Sequence, residues 1–564
     1  MTTPTTTSLL RSRFPVRRGI TAALLAMMVA AHSVDAQQTR AGMFAEAATQ
    51  AITTSDASFT RRAALTRLYS APDVRPIWTA GGSPTRQAAA AIRVLADIAT
   101  RGLDPRDYDT ATLAAMARSL DARSDSVQIA RFDVALSRSM IQLLGDLHEG
   151  RANPRSLGFN LPLSHRDLDL AAMTVATSRA PDPATVVASA EPVYVGYRRL
   201  EALLGRYRLL AADTSLAVPP ATRVTLRAGD SYAGAATLRR LLVALGDLAP
   251  AAAARDAGQS TQYTATLSAA IAVFQRRHGL DADGVAGPTT MRALRVPLTQ
   301  RVRQIELTLE RWRWLPDSAP ARYAVVNIPG FRLYVFEDDP AAAQPELRMN
   351  VIVGRAGSRA TPIFTGNVEQ VVFRPYWDVP PSIARGEIIP ATRRNWSYFA
   401  RQNLEIVRGG DVGATTYPLT SANLSRVAAG TLRIRQRPGP ANSLGLVKFV
   451  FPNAYNVYLH DTPTRSLFSE TQRDFSHGCI RVQEPLALAE VVLRGQDGWN
   501  RISIDSAMHG TRTLRITVAR PLAVYILYQT AVVAADGTAR FYNDLYGHDA
   551  TLARTLARDR PHQQ

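Results

Sequence analysis

The stretch HDTPTRSLFSETQRDFSHGCIRV, residues His460 to Val482, holds the only cysteine of a 564-residue chain and two of its nine histidines. Side chains along an extended strand alternate between two faces. Gly478, Ile480 and Val482 therefore fall on one side, and His477, Cys479 and Arg481 on the other. A strand that buries Ile480 and Val482 would present His477, Cys479 and Arg481 together on its opposite face. The same period sets Val457 and Leu459 against Asn456, Tyr458 and His460 in the segment just upstream. EPLALAEVVLRG follows and predicts a helix, with Pro485 in its first turn and Gly495 at its end, against which the strand can be seated.

Strand signals extend upstream of this stretch. RYAVVNIPGFRLYVFED, LRMNVIVGR and VVFRPYWDVP are short, rich in Val, Ile, Tyr and Phe, and divided by Pro and Gly. A polar, arginine-rich insertion at about 384–436 interrupts them and is expected to act as a lid. Strands resume at LVKFVFPN and NVYLHD. A connecting helix is predicted over Arg301 to Trp314.

The preceding segments read as helical. Between about 226 and 298, Leu267, Ile271 and Phe274 form the core stripe of an amphipathic helix, Gly279 stops it, and Pro288-Thr289-Thr290 opens another. Asp281-Ala282-Asp283-Gly284 has the look of a calcium loop, but position 292 is Arg where the closing glutamate would stand, so it reads as a turn. From about 40 to 225, Ala88–Thr100 and Ile129–Leu147 show helical periodicity. His148 and His165 stand alone there and read as surface or structural residues.

Residues 1–36 read as an export signal. They carry basic Arg11, Arg13, Arg17 and Arg18, an apolar run from Ile20 to Ala31, and small or apolar residues at the cleavage positions of Val34-Asp35-Ala36. The apolar run is short for a permanent anchor, so a periplasmic location is expected. The predicted fold class is α+β multidomain. It comprises a signal peptide (1–36), a helical scaffold (37–225), a three-helix unit (226–298), a mostly β catalytic domain (299–520) and a C-terminal extension (521–564).

The formal net charge is +19. An exported chain whose charge is scattered rather than run together argues against nucleic acid; a polyanionic envelope or carboxylate-bearing substrates fit better. Of the 66 basic residues one is lysine, Lys448, and the other 65 are arginine. Its position twelve residues before His460 hints that arginine would not serve there, although a plain surface role is the simpler reading.

In an oxidising compartment cysteines normally pair, and Cys479 has no partner in the chain. Three readings stay open on the residues alone. A histidine and a nearby cation such as Arg481 would favour the thiolate of a nucleophile, with the backbone N–H groups of Cys479 and Gly478 as the candidate donors to an oxyanion. A second reading makes His460, His477 and Cys479 three zinc ligands. A third makes the sulfur a buried small hydrophobe. Spacing leaves both imidazoles eligible as the base.

The elements HD…SHGCIRV, PYWDVPPSI and PGPANSLGLVKFVFPN together resemble the L,D-transpeptidases of bacterial cell-wall synthesis. FQ…GL…DG…G…T…AL resembles the three-helix peptidoglycan-binding module, and the whole resembles the large branch with a scaffold, that module and a lid. The resemblance implies Cys479 as nucleophile and His460 as base, its ring oriented by the Asp461 carbonyl. It implies that His477 and Gly478 shape the oxyanion region, that Tyr458 lines the pocket, and that Arg481, Trp377 and Ser382 lie on the substrate side. The implied reaction joins two diaminopimelate residues of stem peptides through a thioester, with release of D-alanine. An L,D-carboxypeptidase and a non-catalytic wall-binding scaffold are the alternatives. No cofactor or metal is expected. The expected partners are stem peptides and other cell-wall synthases, around a monomer.

Overall fold

The structure is a computed structural model describing residues 42–53, 61–71, 74–161, 168–318, 320–337, 345–409 and 413–558. The expected signal and His165 lie outside the described residues. The chain divides into two compact units: residues up to 98, 104–146 and 167–190; and residues 99–103, 147–166 and 191–564.

The first unit is helical, with Arg62–Tyr69, Arg86–Ala96, Thr110–Ser119, Leu170–Arg179, Pro183–Ala188 and most of Ser126–Glu149. The helix predicted over 88–100 starts two residues earlier, where the Thr85 hydroxyl caps the amide of Ala88 at 3.1 Å. It breaks at Asp97 into a 3-10 turn. Asp133 ties this unit internally by accepting from the amides of Ile77 and Trp78 and from the Tyr69 hydroxyl.

In the second unit, helices Ala235–Leu245, Pro250–Arg255, Ala265–Arg277 and Pro288–Leu294 enclose their own core, which includes Leu267, Ile271 and Phe274. Gly279, at φ +64, turns the chain after the third of these helices. Asp283 accepts from the Val285 amide and from Gln275, so the DADG segment is a side-chain-capped turn. Helix Leu298–Trp312 leads into the sheet.

The main strands of that sheet are β1 (Tyr323–Asn327), β2 (Arg332–Phe336), β3 (Leu347–Ile352), β4 (Ile363–Phe373), β5 (Val447–Val450), β6 (Leu459–His460), β7 (Ile480–Val482) and β8 (Leu514–Leu527), and the short strand Phe159–Asn160 pairs parallel to β4. Their order is β5-β6-β7-β3-β2-β1-β8-β4, and β5 also pairs with β4, so the sheet closes on itself. Closure removes the exposed edges that would invite pairing with other chains. Val326, Leu333, Val335, Val351, Phe373, Phe449, Ile480 and Val482 fill a common core. The boundary expected at 520 falls inside β8, and Leu552 and Leu556 of the last helix, His548–Arg558, join the same core.

The insertion between β4 and β5 is a small body with its own core, including Ile388, Phe399, Ile406, Leu424 and Ile434. Its four-stranded sheet runs Thr415–Tyr417, Leu404–Arg408, Arg433–Gln436, Trp377–Asp378.

Candidate active site

β6 and β7 are parallel, with Leu459 opposite Ile480 and His460 opposite Arg481. Paired residues in such a ladder point to the same face. Leu459, Ile480 and Val482 face the core and are fully buried. The other face therefore gathers His460 and Arg481 and, one step back, Tyr458 and Cys479. β5 adds Lys448, which lies opposite His460.

Lys448 is held by that strand with its ammonium 3.6 Å from the centroid of the Tyr458 ring. Burial lowers its pKa, and the nearby sulfur acts in the opposite direction. The Tyr458 ring meets His460 edge-on at 5.7 Å. Burial, followed by the nearby sulfur, raises the Tyr458 phenol well above its ordinary range, so it stays protonated.

His460 is buried, and its Nδ1 lies 2.5 Å from the backbone oxygen of Asp461. A carbonyl only accepts, so Nδ1 carries the proton and Nε2 is left as the basic nitrogen. Burial, with Arg481 and Lys448 nearby, pushes the imidazole pKa down to about 3. The Asp461 carboxylate serves the scaffold: it accepts from the Leu446 amide at 2.9 Å and from Arg465 at 3.1 Å. That approach leaves no room for a side chain at residue 445. A Cβ on Gly445 would overlap the carboxyl, and Gly445 also sits at φ +62.

The Cys479 thiol donates to the Asn456 carbonyl at 3.7 Å, and no hydrogen bond joins it to either imidazole among the described residues. Its pKa is raised because burial outweighs the Tyr458 amide and phenol, Lys448 and Arg481, which all act in the other direction. The ionised thiol expected from the sequence is thus corrected. The resting site pairs a neutral thiol with a neutral imidazole, because desolvation of the sulfur exceeds the pull of the cations.

The grouping of His477 with Cys479 is also corrected. β7 starts only at Ile480, and Gly478 at φ +122 breaks the alternation before it. His477 turns outward to Glu387 of the insertion, 2.8 Å from its Nε2, and Glu387 also binds Arg359 at 2.8 Å. Among the described residues no three His, Cys, Asp or Glu side chains converge as a metal centre would require. The Gly478 amide donates to the Ser476 hydroxyl at 3.1 Å, whereas the Cys479 amide donates to no acceptor among the described residues. Of the two oxyanion donors named from the sequence, only Cys479 N–H is unengaged.

Trp377 and Ser382 lie at the base of the insertion, Trp377 packed on its core and Ser382 exposed in the short helix Pro381–Ile383. Arg481 is partly buried with an Nε that has no partner.

Several supporting residues escaped the sequence reading because no local pattern marks them. Thr361 donates to the Gly478 carbonyl at 2.8 Å and accepts from Gly354 N. The Tyr546 hydroxyl donates to the Gly354 carbonyl at 2.5 Å. Ser476 donates to the Cys479 carbonyl at 2.5 Å. Asp378 acts on both Lys448 and Tyr458 through its charge. Asn453 was the findable one: its carboxamide oxygen accepts from the amides of Tyr455 and Val457, a common asparagine turn.

Comparison with known proteins agrees with this architecture. Residues 63–204 match the family model of a scaffold domain, 231–294 that of a domain provisionally named peptidoglycan binding, and 321–504 that of the L,D-transpeptidase catalytic domain. A Haemophilus influenzae protein provisionally named an L,D-transpeptidase is 28% identical over 250 residues, which cover 44% of this chain. The chain spans about half the length of that relative, 49%. The chain is thus similar, in the same order along its length, to a scaffold domain, a domain provisionally named peptidoglycan binding and an L,D-transpeptidase catalytic domain.

Proposed function

We propose that the chain is a cysteine-dependent L,D-transpeptidase that cross-links peptidoglycan stem peptides. The observation that carries this reading is the single sheet face shared by Lys448, Tyr458, His460, Cys479 and Arg481.

Because thiol and imidazole both rest neutral, attack and proton transfer occur together. The thiol proton leaves its Asn456 contact for Nε2 of His460 as Sγ bonds to the carbonyl of the L-centre of diaminopimelate. The tetrahedral oxygen takes its hydrogen bond from the unengaged Cys479 amide. Collapse breaks the bond to the terminal D-alanine, whose amine leaves with the proton from Nε2. A side-chain amine of a second stem then attacks the thioester and gives its proton to Nε2. The departing sulfur takes that proton back. Arg481, with its free Nε, and Lys448 bind the carboxylates of the stem, and Tyr458 holds Lys448 and the sulfur in place. The chain works in the periplasm alongside other cell-wall synthases, and carbapenems acylate the same sulfur.

Intact-mass analysis after meropenem treatment tests the nucleophile. One adduct is expected on the parent and none on Cys479→Ala; equal adducts on both would remove the enzymatic reading. Product analysis on tetrapeptide muropeptides separates cross-linking from hydrolysis, since only cross-linking yields dimers.

A further inference from the structure

A groove of about 930 Å³ lies away from Cys479, between the peptidoglycan-binding-type domain and the barrel. One wall is helix Ala265–Arg277 with the turn after it. The other is the β1–β2 turn, the 465–473 loop and the segment around Tyr542. The Thr471 hydroxyl donates to the Asp281 carboxylate across it, so the two walls are held together.

The groove has an unusual charge balance. Arg276, Arg332, Arg473 and Arg540 line it, and none of the four forms a salt bridge with a carboxylate among the described residues. Arg473 is buried and spends its guanidinium on the carbonyls of Phe331 at 3.0 Å and Val351 at 3.2 Å, and on Asn350 at 3.2 Å. Those neutral acceptors satisfy its hydrogen bonds and leave its charge uncompensated. The groups acting on Arg332 and Arg473 are arginines and the phenols of Tyr334 and Tyr542. Arg540 has a buried Nε without a partner. The carboxylates of the groove lie with the module and the loop: Asp281 is bound to Thr471, Asp283 is spent on its own turn, and Glu470 is the third. Arg473 is buried, Arg332 and Arg540 are half-buried and Arg276 is exposed; crowding like charges around a half-buried groove is costly, and an anion there would complete the cluster.

We infer that this groove is a second binding site, taking the carboxylates of a peptidoglycan stem beside the one being processed. Guanidinium groups suit planar carboxylates, and several together suit a polymer that presents carboxylates in series. The polymer's identity rests on the proposed function; the anion site rests on the arginines alone. The loop that forms one wall also leads to the nucleophile. The Arg473 carbonyl accepts from the Val353 amide and the Ser476 amide donates to the Val353 carbonyl, three residues before Cys479. A stem held in the groove would therefore brace the segment that carries the sulfur.

The test is co-sedimentation of the full chain with diaminopimelate-containing sacculi at low and high salt. Arg332→Gln/Arg540→Gln should bind about tenfold more weakly at low salt and show a shallower salt dependence than the parent. Sacculi with their carboxyls converted to amides should show the same loss with the parent chain. Unchanged binding by the folded double variant, or equal binding of amidated sacculi, overturns the inference. If the double variant fails to fold, Arg276→Gln and the amidated sacculi give the same reading. Meropenem acylation of Cys479 should stay within about twofold in these variants. A parent chain that binds sacculi yet resists acylation would fail the proposed function while leaving the groove intact.

Discussion

His460 shows how one buried ring is prepared by its neighbours. Its Nδ1 proton is fixed by the Asp461 carbonyl, and burial beside two cations keeps it neutral down to about pH 3. Catalysis that needs neutral Nε2 should then show no acid limb between pH 5 and 7 from this residue, as measured by the acylation rate against pH. Stability carries the opposite mark. An unfolded histidine binds a proton below its ordinary value of 6.5, and the folded one does so only near 3. The contribution is thus fully present above about 6.5 and lost as pH falls toward 3. His460→Gln should flatten the decline of unfolding free energy across that window by a few kcal/mol, about 1.4 per unit of pKa, as read by urea titration at several pH values. Strand alternation put Tyr458, His460 and Arg481 on one face, but spacing left both imidazoles eligible as the base, and only the family resemblance singled out His460. Neither could show protonation, which depends on burial by residues hundreds of positions apart.

At the scale of elements, the turn at 476–479 and the insertion meet through one carboxylate. His477 and Arg359 both bind Glu387, and the partnership with His477 holds its carboxyl below the usual range. Glu387→Gln should speed amide hydrogen exchange at 384–388 and 476–479 while leaving β1 and β8 protected. Gly478 makes a separate demand. A Cβ there would meet nothing closer than 3.9 Å, so φ +122 alone requires glycine. Gly478→Ala should cost about 1–3 kcal/mol in thermal unfolding and abolish acylation. The predicted strands and most helices were legible from period and breakers, as in the helix after β7, which runs Pro485–Val492. The tie between insertion and turn was not, since nothing local pairs position 387 with position 477.

On the scale of the molecule, the family match ends at 504 but the fold does not. β8 runs to Leu527, and Tyr546 reaches back to Gly354 and Thr361, which hold the turn before Cys479. Tyr546→Phe should cost about 1 kcal/mol and slow acylation without changing the reactivity of the unfolded thiol. The three-part order of scaffold, module and catalytic domain was readable from motifs and the family resemblance they carry. The contribution of residues 521–558 was not, because long-range packing leaves no periodic trace.

The one lysine, seated in β5 between β4 and β6, has a practical corollary. A lysine-specific endoproteinase has a single scissile bond in this chain, after residue 448, and it lies inside a hydrogen-bonded strand of a closed sheet. Cleavage into two fragments of fixed mass would therefore count openings of the barrel itself. Added substrate mimic that occupies the catalytic face should slow the cut, giving a clock for the central domain that ignores the rest of the chain.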